Sequence, residues 1–89
     1  MRKQVFAVRD AKAGFFGAPI AVLNEGVAVR GFSAAVRGDR NADLWNFADD
    51  YALFHLGEYD ELTGQFFNLD QPTMVVLAAT VKSLMKEGE

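Results

Sequence analysis

Tyr51-Ala52-Leu53-Phe54-His55-Leu56-Gly57-Glu58-Tyr59-Asp60-Glu61-Leu62-Thr63-Gly64-Gln65-Phe66-Phe67-Asn68-Leu69 is the stretch that decides the fold. Tyr51 to Tyr59 is aromatic and aliphatic enough to read as a strand. Asp60-Glu61-Leu62-Thr63-Gly64 then carries turn chemistry, with Gly64 suited to a positive φ, and Gln65 to Leu69 reads as the returning strand. The result is a β-hairpin. Consecutive strand residues point to opposite faces, so one ring of Phe66-Phe67 cannot reach a single-sided core. An unpaired base, a second copy of the chain or a helix could cover it.

Working outward, Asp70-Gln71-Pro72-Thr73 predicts the opening of a helix, with Asp70 or Gln71 as cap and Pro72 in the first turn. Met74, Leu77, Ala78, Val81, Leu84 and Met85 would form its apolar stripe, and Lys82 and Lys86 would complement its C-terminal dipole. On the other side, residues 38–50 read as a polar linker in which Leu44, Trp45 and Phe47 dip into the core, as in a short helical turn. Before it, Asn24 is placed as an N-cap, Glu25 lies in the first turn, and Ala28, Phe32, Ala35 and Val36 recur at helical spacing. That helix should end at Gly38 in a left-handed conformation, and the glycines inside it, Gly26 and Gly31, suggest close backbone packing. Val5-Phe6-Ala7-Val8 and Pro19-Ile20-Ala21-Val22-Leu23 predict two strands joined by a loop containing Gly14, Phe15, Phe16 and Gly17. The predicted order is ββαββα, an α+β fold with a four-stranded, mainly antiparallel sheet and two helices on one face.

Eighty-nine residues, 51% of them hydrophobic, suit one domain spanning 1–89 with a real core. The chain has no cysteine, hence no disulfide or thiolate ligand. Met1 to Phe6 is basic and lacks a signal-like apolar core, and no apolar run approaches the roughly 20 residues of a membrane span, so a cytoplasmic setting away from the membrane is expected.

Catalytic chemistry is sparse. His55 is the only histidine, and neither Ser33 nor Ser83 sits in a nucleophile elbow. The acidic residues Asp49, Asp50, Glu58, Asp60 and Glu61 lack calcium-loop spacing, and Gly14-Phe15-Phe16-Gly17 lacks phosphate-loop spacing. No catalytic residue, metal or cofactor is expected, and a binding role is.

The net charge of −3 hides an asymmetry. Residues 1–40 carry Arg2, Lys3, Arg9, Lys12, Arg30, Arg37 and Arg40 against three carboxylates, or +4, while residues 41–89 carry two lysines against nine, or −7. Such polarity suggests a basic surface for a polyanion. With the phenylalanines, these cations make a candidate single-stranded DNA site: Arg2, Lys3, Arg9, Lys12, Phe15, Phe16, Arg30, Arg37, Arg40, Phe66 and Phe67.

Three segments carry a family resemblance: Val5-Phe6-Ala7-Val8-Arg9-Asp10 with Lys12-Ala13; Asn24-Glu25-Gly26-x-Ala28-x-Arg30-x-Phe32; and Tyr51-x-Leu53-x-x-Leu56-Gly57-Glu58-Tyr59-Asp60-x-x-Thr63-Gly64. In this order they resemble the small nonstructural protein of microviruses, notably the gokushovirus group of tailless single-stranded DNA phages. The resemblance implies a nonstructural phage protein in the host bacterial cytoplasm that assists DNA replication or packaging, in contact with single-stranded DNA. A pI near 5.0 runs against simple DNA coating. It keeps a second reading open, in which the chain is a self-associating adaptor, a dimer or higher homo-oligomer, that docks onto phage replication or capsid proteins.

Overall fold

The computed structural model describes residues 1–85; Lys86 and the side chain of Met85 lie outside what it describes. Its frame is a sheet of five strands, β1 (Arg2–Asp10), β2 (Phe15–Phe16), β3 (Ile20–Val22), β4 (Tyr51–Asp60) and β5 (Phe66–Leu77). Three helices accompany it, α1 (Glu25–Gly38), α2 (Asp43–Asn46) and α3 (Ala78–Met85), with a 3₁₀ turn at Ala48–Asp50. All pairings are antiparallel in the order β2-β1-β4-β5, and β3 also pairs with β1. The fold is α+β as expected, whereas the four-stranded ββαββα arrangement with two helices is not what forms. The segment after β1 breaks into two short strands at Gly17-Ala18-Pro19, and the linker contributes a helix of its own.

Local chemistry explains the elements that formed as read. The Asn24 side chain accepts a hydrogen bond from Val27 N–H at 3.0 Å, and α1 buries Ala28, Phe32 and Val36. The hairpin turns at Gly64 with φ +77°, and the Asp60 carboxylate accepts Leu62 N–H at 2.9 Å. Leu44 and Trp45 of α2 pack on the core, while Phe47 stays exposed.

Three expectations are corrected. Thr73–Leu77 is strand, and the second long helix begins only at Ala78, because Thr73, Met74, Val76 and Leu77 each pair with a residue of β4. Cross-strand pairing of β-branched and large apolar side chains outweighs the local cap signal of Asp70 and Pro72. Of the predicted stripe, Ala78 and Val81 reach the core and Leu84 is exposed. Gly38 closes α1 without a positive φ, since the chain leaves through an extended Asp39. Gly26 and Gly31 mediate no close packing: a Cβ on Gly31 would meet nothing within 4 Å, and one on Gly26 only Asn24 Oδ1 at 3.4 Å.

The helices share one face of the sheet. Their buried residues, Ala28, Phe32, Val36, Ala78 and Val81, form a single cluster with Phe6, Leu53 and Ala48, flanked by Val8, Val22, Tyr51 and Val76. Val5, Ala7 and Ala52 are equally buried but belong to the opposite parity of their strands and lie outside that cluster. They form the floor of a second face that carries no helix.

Candidate nucleic-acid interface on the open sheet face

Register assigns each paired sheet residue to a face, because cross-strand partners share one and neighbours along a strand alternate. Gln4, Phe6, Val8, Leu53 and Val76 belong to the helical face, and so do Arg2, Asp10, Glu58, Asp60 and Phe67. The open face takes Lys3, Val5, Ala7 and Arg9 from β1, Phe16 from β2, Ala52, Phe54 and Tyr59 from β4, and Phe66, Asn68, Met74 and Leu77 from β5. Its in-register positions hold two cations and no carboxylate, although Glu61 of the turn meets Lys3 at 3.4 Å and Asp70, in the unpaired 69–72 stretch, has the parity of Asn68 and Met74. Lys3 and Arg9 are about 20 Å apart along β1.

Each cation sits beside an aromatic pair. At one end Phe16 and Phe54 meet edge to face with centroids 5.4 Å apart, and the Arg9 guanidinium lies 5.7 Å from the Phe16 ring. At the other end Tyr59 and Phe66 lie 4.9 Å apart, with Lys3 across the strand from Tyr59. Phe66 is 62% exposed and Met74 53% exposed, so the surface is open to a ligand.

The remaining predicted site residues lie elsewhere. Arg2 bonds Glu58 at 2.9 Å, and its guanidinium covers Phe67 at 3.9 Å, which answers what shields the second ring of the Phe66-Phe67 pair. Lys3 also meets Glu61, at 3.4 Å. Phe15 is in register with Asp10, away from the open face, and Lys12 borders a recess lined by Asp10, Asp43, Asp50 and Tyr51. Arg30 and Arg37 rise from the outer surface of α1, and Arg40 lies 4.4 Å from the Trp45 ring on the helical side. The seven N-terminal cations therefore do not form one track.

The polar groups of the helical face are engaged with one another. The Gln4 amide donates to Glu58 at 3.1 Å and its oxygen meets His55 Nε2 at 2.9 Å; the same nitrogen lies 3.1 Å from the Gly57 carbonyl. Both partners of Nε2 are acceptors, so Nε2 carries the proton. The imidazole stacks on Phe6 at 4.8 Å. Hydrogen bonds from Arg2 and Gln4 hold the Glu58 carboxyl below the ordinary glutamate range, and those from the backbone of Leu62 and Thr63 do the same for Asp60. Burial, and then Asp10, raises the Tyr51 hydroxyl. Among the described residues no group of His, Asp and Glu converges as a metal site, and no helix is long and apolar enough to cross a membrane.

Sequence reading missed Phe54 and Tyr59. They are five residues apart and strict alternation would set them on opposite faces; an irregularity between His55 and Gly57 restores them to the same one. Glycine inside a strand was the available signal. Gly57 has φ +154°, and a Cβ there would collide with the Phe67 carbonyl oxygen and lie 2.9 Å from Asn68 Cα.

An antiparallel sheet with helices on one face and an aromatic, carboxylate-poor surface on the other defines a small open-faced α+β protein. The chain belongs to the family described as Phage ORF5 protein, whose model matches residues 3–81, and it is thus a phage protein. Comparison with the curated proteins and with the solved structures finds no match.

Proposed function

We propose that this phage protein binds single-stranded DNA across its open sheet face, as a nonstructural factor of a microvirus of the gokushovirus type assisting replication or packaging of the viral genome. One observation carries the reading: the face without helices has two cations, two aromatic pairs and no in-register carboxylate, although the chain as a whole is acidic. Bases stack on Phe16 or Phe54 at one end and on Tyr59 or Phe66 at the other, while Lys3 and Arg9 meet the backbone phosphates. Asp10, Glu58 and Asp60 belong to the opposite face and repel DNA from it, which orients the strand, while phosphate takes the place of Glu61 at Lys3.

The test is a salt titration of binding to labelled oligothymidine. Each phosphate contact contributes about −0.7 to the log–log salt slope for single strands, so replacing Lys3 and Arg9 together by alanine makes the slope shallower by roughly 1.4. Phe16→Ala and Phe66→Ala each weaken binding by about 1–3 kcal/mol. The Arg30→Ala/Arg37→Ala double variant keeps the parent slope. A shallower slope in that variant alone would move the site to the helical side, and a parent that does not bind at low salt would remove the reading.

A further inference from the structure

We infer that two copies of the chain pair antiparallel through the outer edge of β5, making one continuous sheet whose open faces lie on the same side. β5 is the last strand in the order and runs for 12 residues, of which 66–74 are all exposed. Asp70 is its only charged residue, so two such edges meet without a row of like charges, and the bulge at 69–72 with Pro72 confines the pairing to the arms on either side. The opposite edge of the sheet is cut into strands of two and three residues around Gly17 and Pro19, a poor template. One usable edge per copy gives a closed dimer and not a fibre.

The size fits a small, concentration-dependent pair. The 12 residues of β5 lie along only eight of β4, Ala52 to Tyr59, because 69–72 bulge out of the ladder, so the edge is about 27 Å long. A strip of that length about 20 Å across, covering the strand and the side chains on both its faces, buries roughly 540 Å² per copy, about 1,100 Å² in all, the small end of specific interfaces. Residues 69–72 have no partner on β4, so the missing N–H of Pro72 falls where the ladder is already interrupted. Pairing centred near Gln71 sets the 66–68 arm of one copy against the 73–77 arm of the other, and exposed Phe66, Leu69 and Met74 gain cover.

Antiparallel pairing across a two-fold requires the axis to stand normal to the sheet. All helices then lie on one side, and the two aromatic and basic surfaces join on the other. This consequence for DNA rests on the binding reading above; the pairing does not.

Sedimentation velocity from micromolar to near-millimolar protein, without DNA, tests the pairing. The parent sediments as a dimer, and Asn68→Lys/Met74→Lys as a monomer with unchanged far-ultraviolet circular dichroism. The chain has no cysteine, so Gln71→Cys can be introduced alone; mild oxidation then links two copies, while Ala34→Cys on the exposed side of α1 does not. A parent that stays monomeric throughout, or a dimer that survives the lysine variant and is not linked at position 71, overturns the inference. Oligothymidine binding by a strictly monomeric parent would leave the DNA reading standing alone.

Discussion

Gly57 and Gly31 have the same side chain and opposite energetics. At Gly57 both the positive φ and the backbone of β5 exclude a Cβ, so Gly57→Ala forces either strain or separation of the two strands. Urea denaturation should show a loss of at least about 2 kcal/mol. Gly31 lies in the middle of α1 with open space around it. Its replacement by alanine should raise stability by about 0.5–1 kcal/mol, since glycine there only costs conformational entropy. Equal effects of the two substitutions would contradict the register that places β5 against Gly57. Arg2 and Phe67 make a comparable point: the ring is shielded by a cation from another strand, a partnership that no spacing within the hairpin could reveal.

At the level of elements, the N-cap of α1 and the Asp60–Gly64 turn were legible because the chemistry that makes them lies within a few residues. The boundary between β5 and α3 was not. Asp70 and Pro72 imitate a helix start, and the residues that overrule them sit on β4, about twenty positions away in the chain. The join of β1 to β4 is the other long-range element contact with a measurable signature, through Arg2, Gln4 and Glu58. Since the folded carboxyl of Glu58 titrates below its ordinary 4.5, the folded state binds fewer protons than the unfolded one in that window, and stability rises with pH there. The contribution is present above 4.5 and is lost as pH falls through the folded value. Urea midpoints should therefore separate parent from Glu58→Gln at neutral pH and converge in acid. A gap that stays constant with pH would assign the effect to packing rather than charge.

On the scale of the whole molecule, the basic half and the acidic half of the sequence interleave, because β1 pairs with β4 along its full length. Sequence order showed the two charge pools but not the faces they occupy, and the predicted DNA site accordingly divides among the open face, the hairpin end and the outer surface of α1. Trp45, the only tryptophan, gives a check on this division. It packs against the core on the helical side, with Lys82 Nζ 4.7 Å from its ring, so saturating oligothymidine should leave its emission unchanged while unfolding shifts it. Quenching by DNA would place the strand on the wrong side of the sheet. The irregularity at Leu56-Gly57 has one more implication. Residue count between two points on a strand acts as a parity bit, and in this strand one inserted position offsets the count without moving the faces. Removing Leu56 would close the bulge, set His55 and Gly57 side by side opposite Phe6 and Val5, and leave Glu58 and Asp60 on the helical face and Tyr59 on the open one. For this fold, a length change of one at that point of β4 is silent on the surface, because β1 fixes which side chains each face presents.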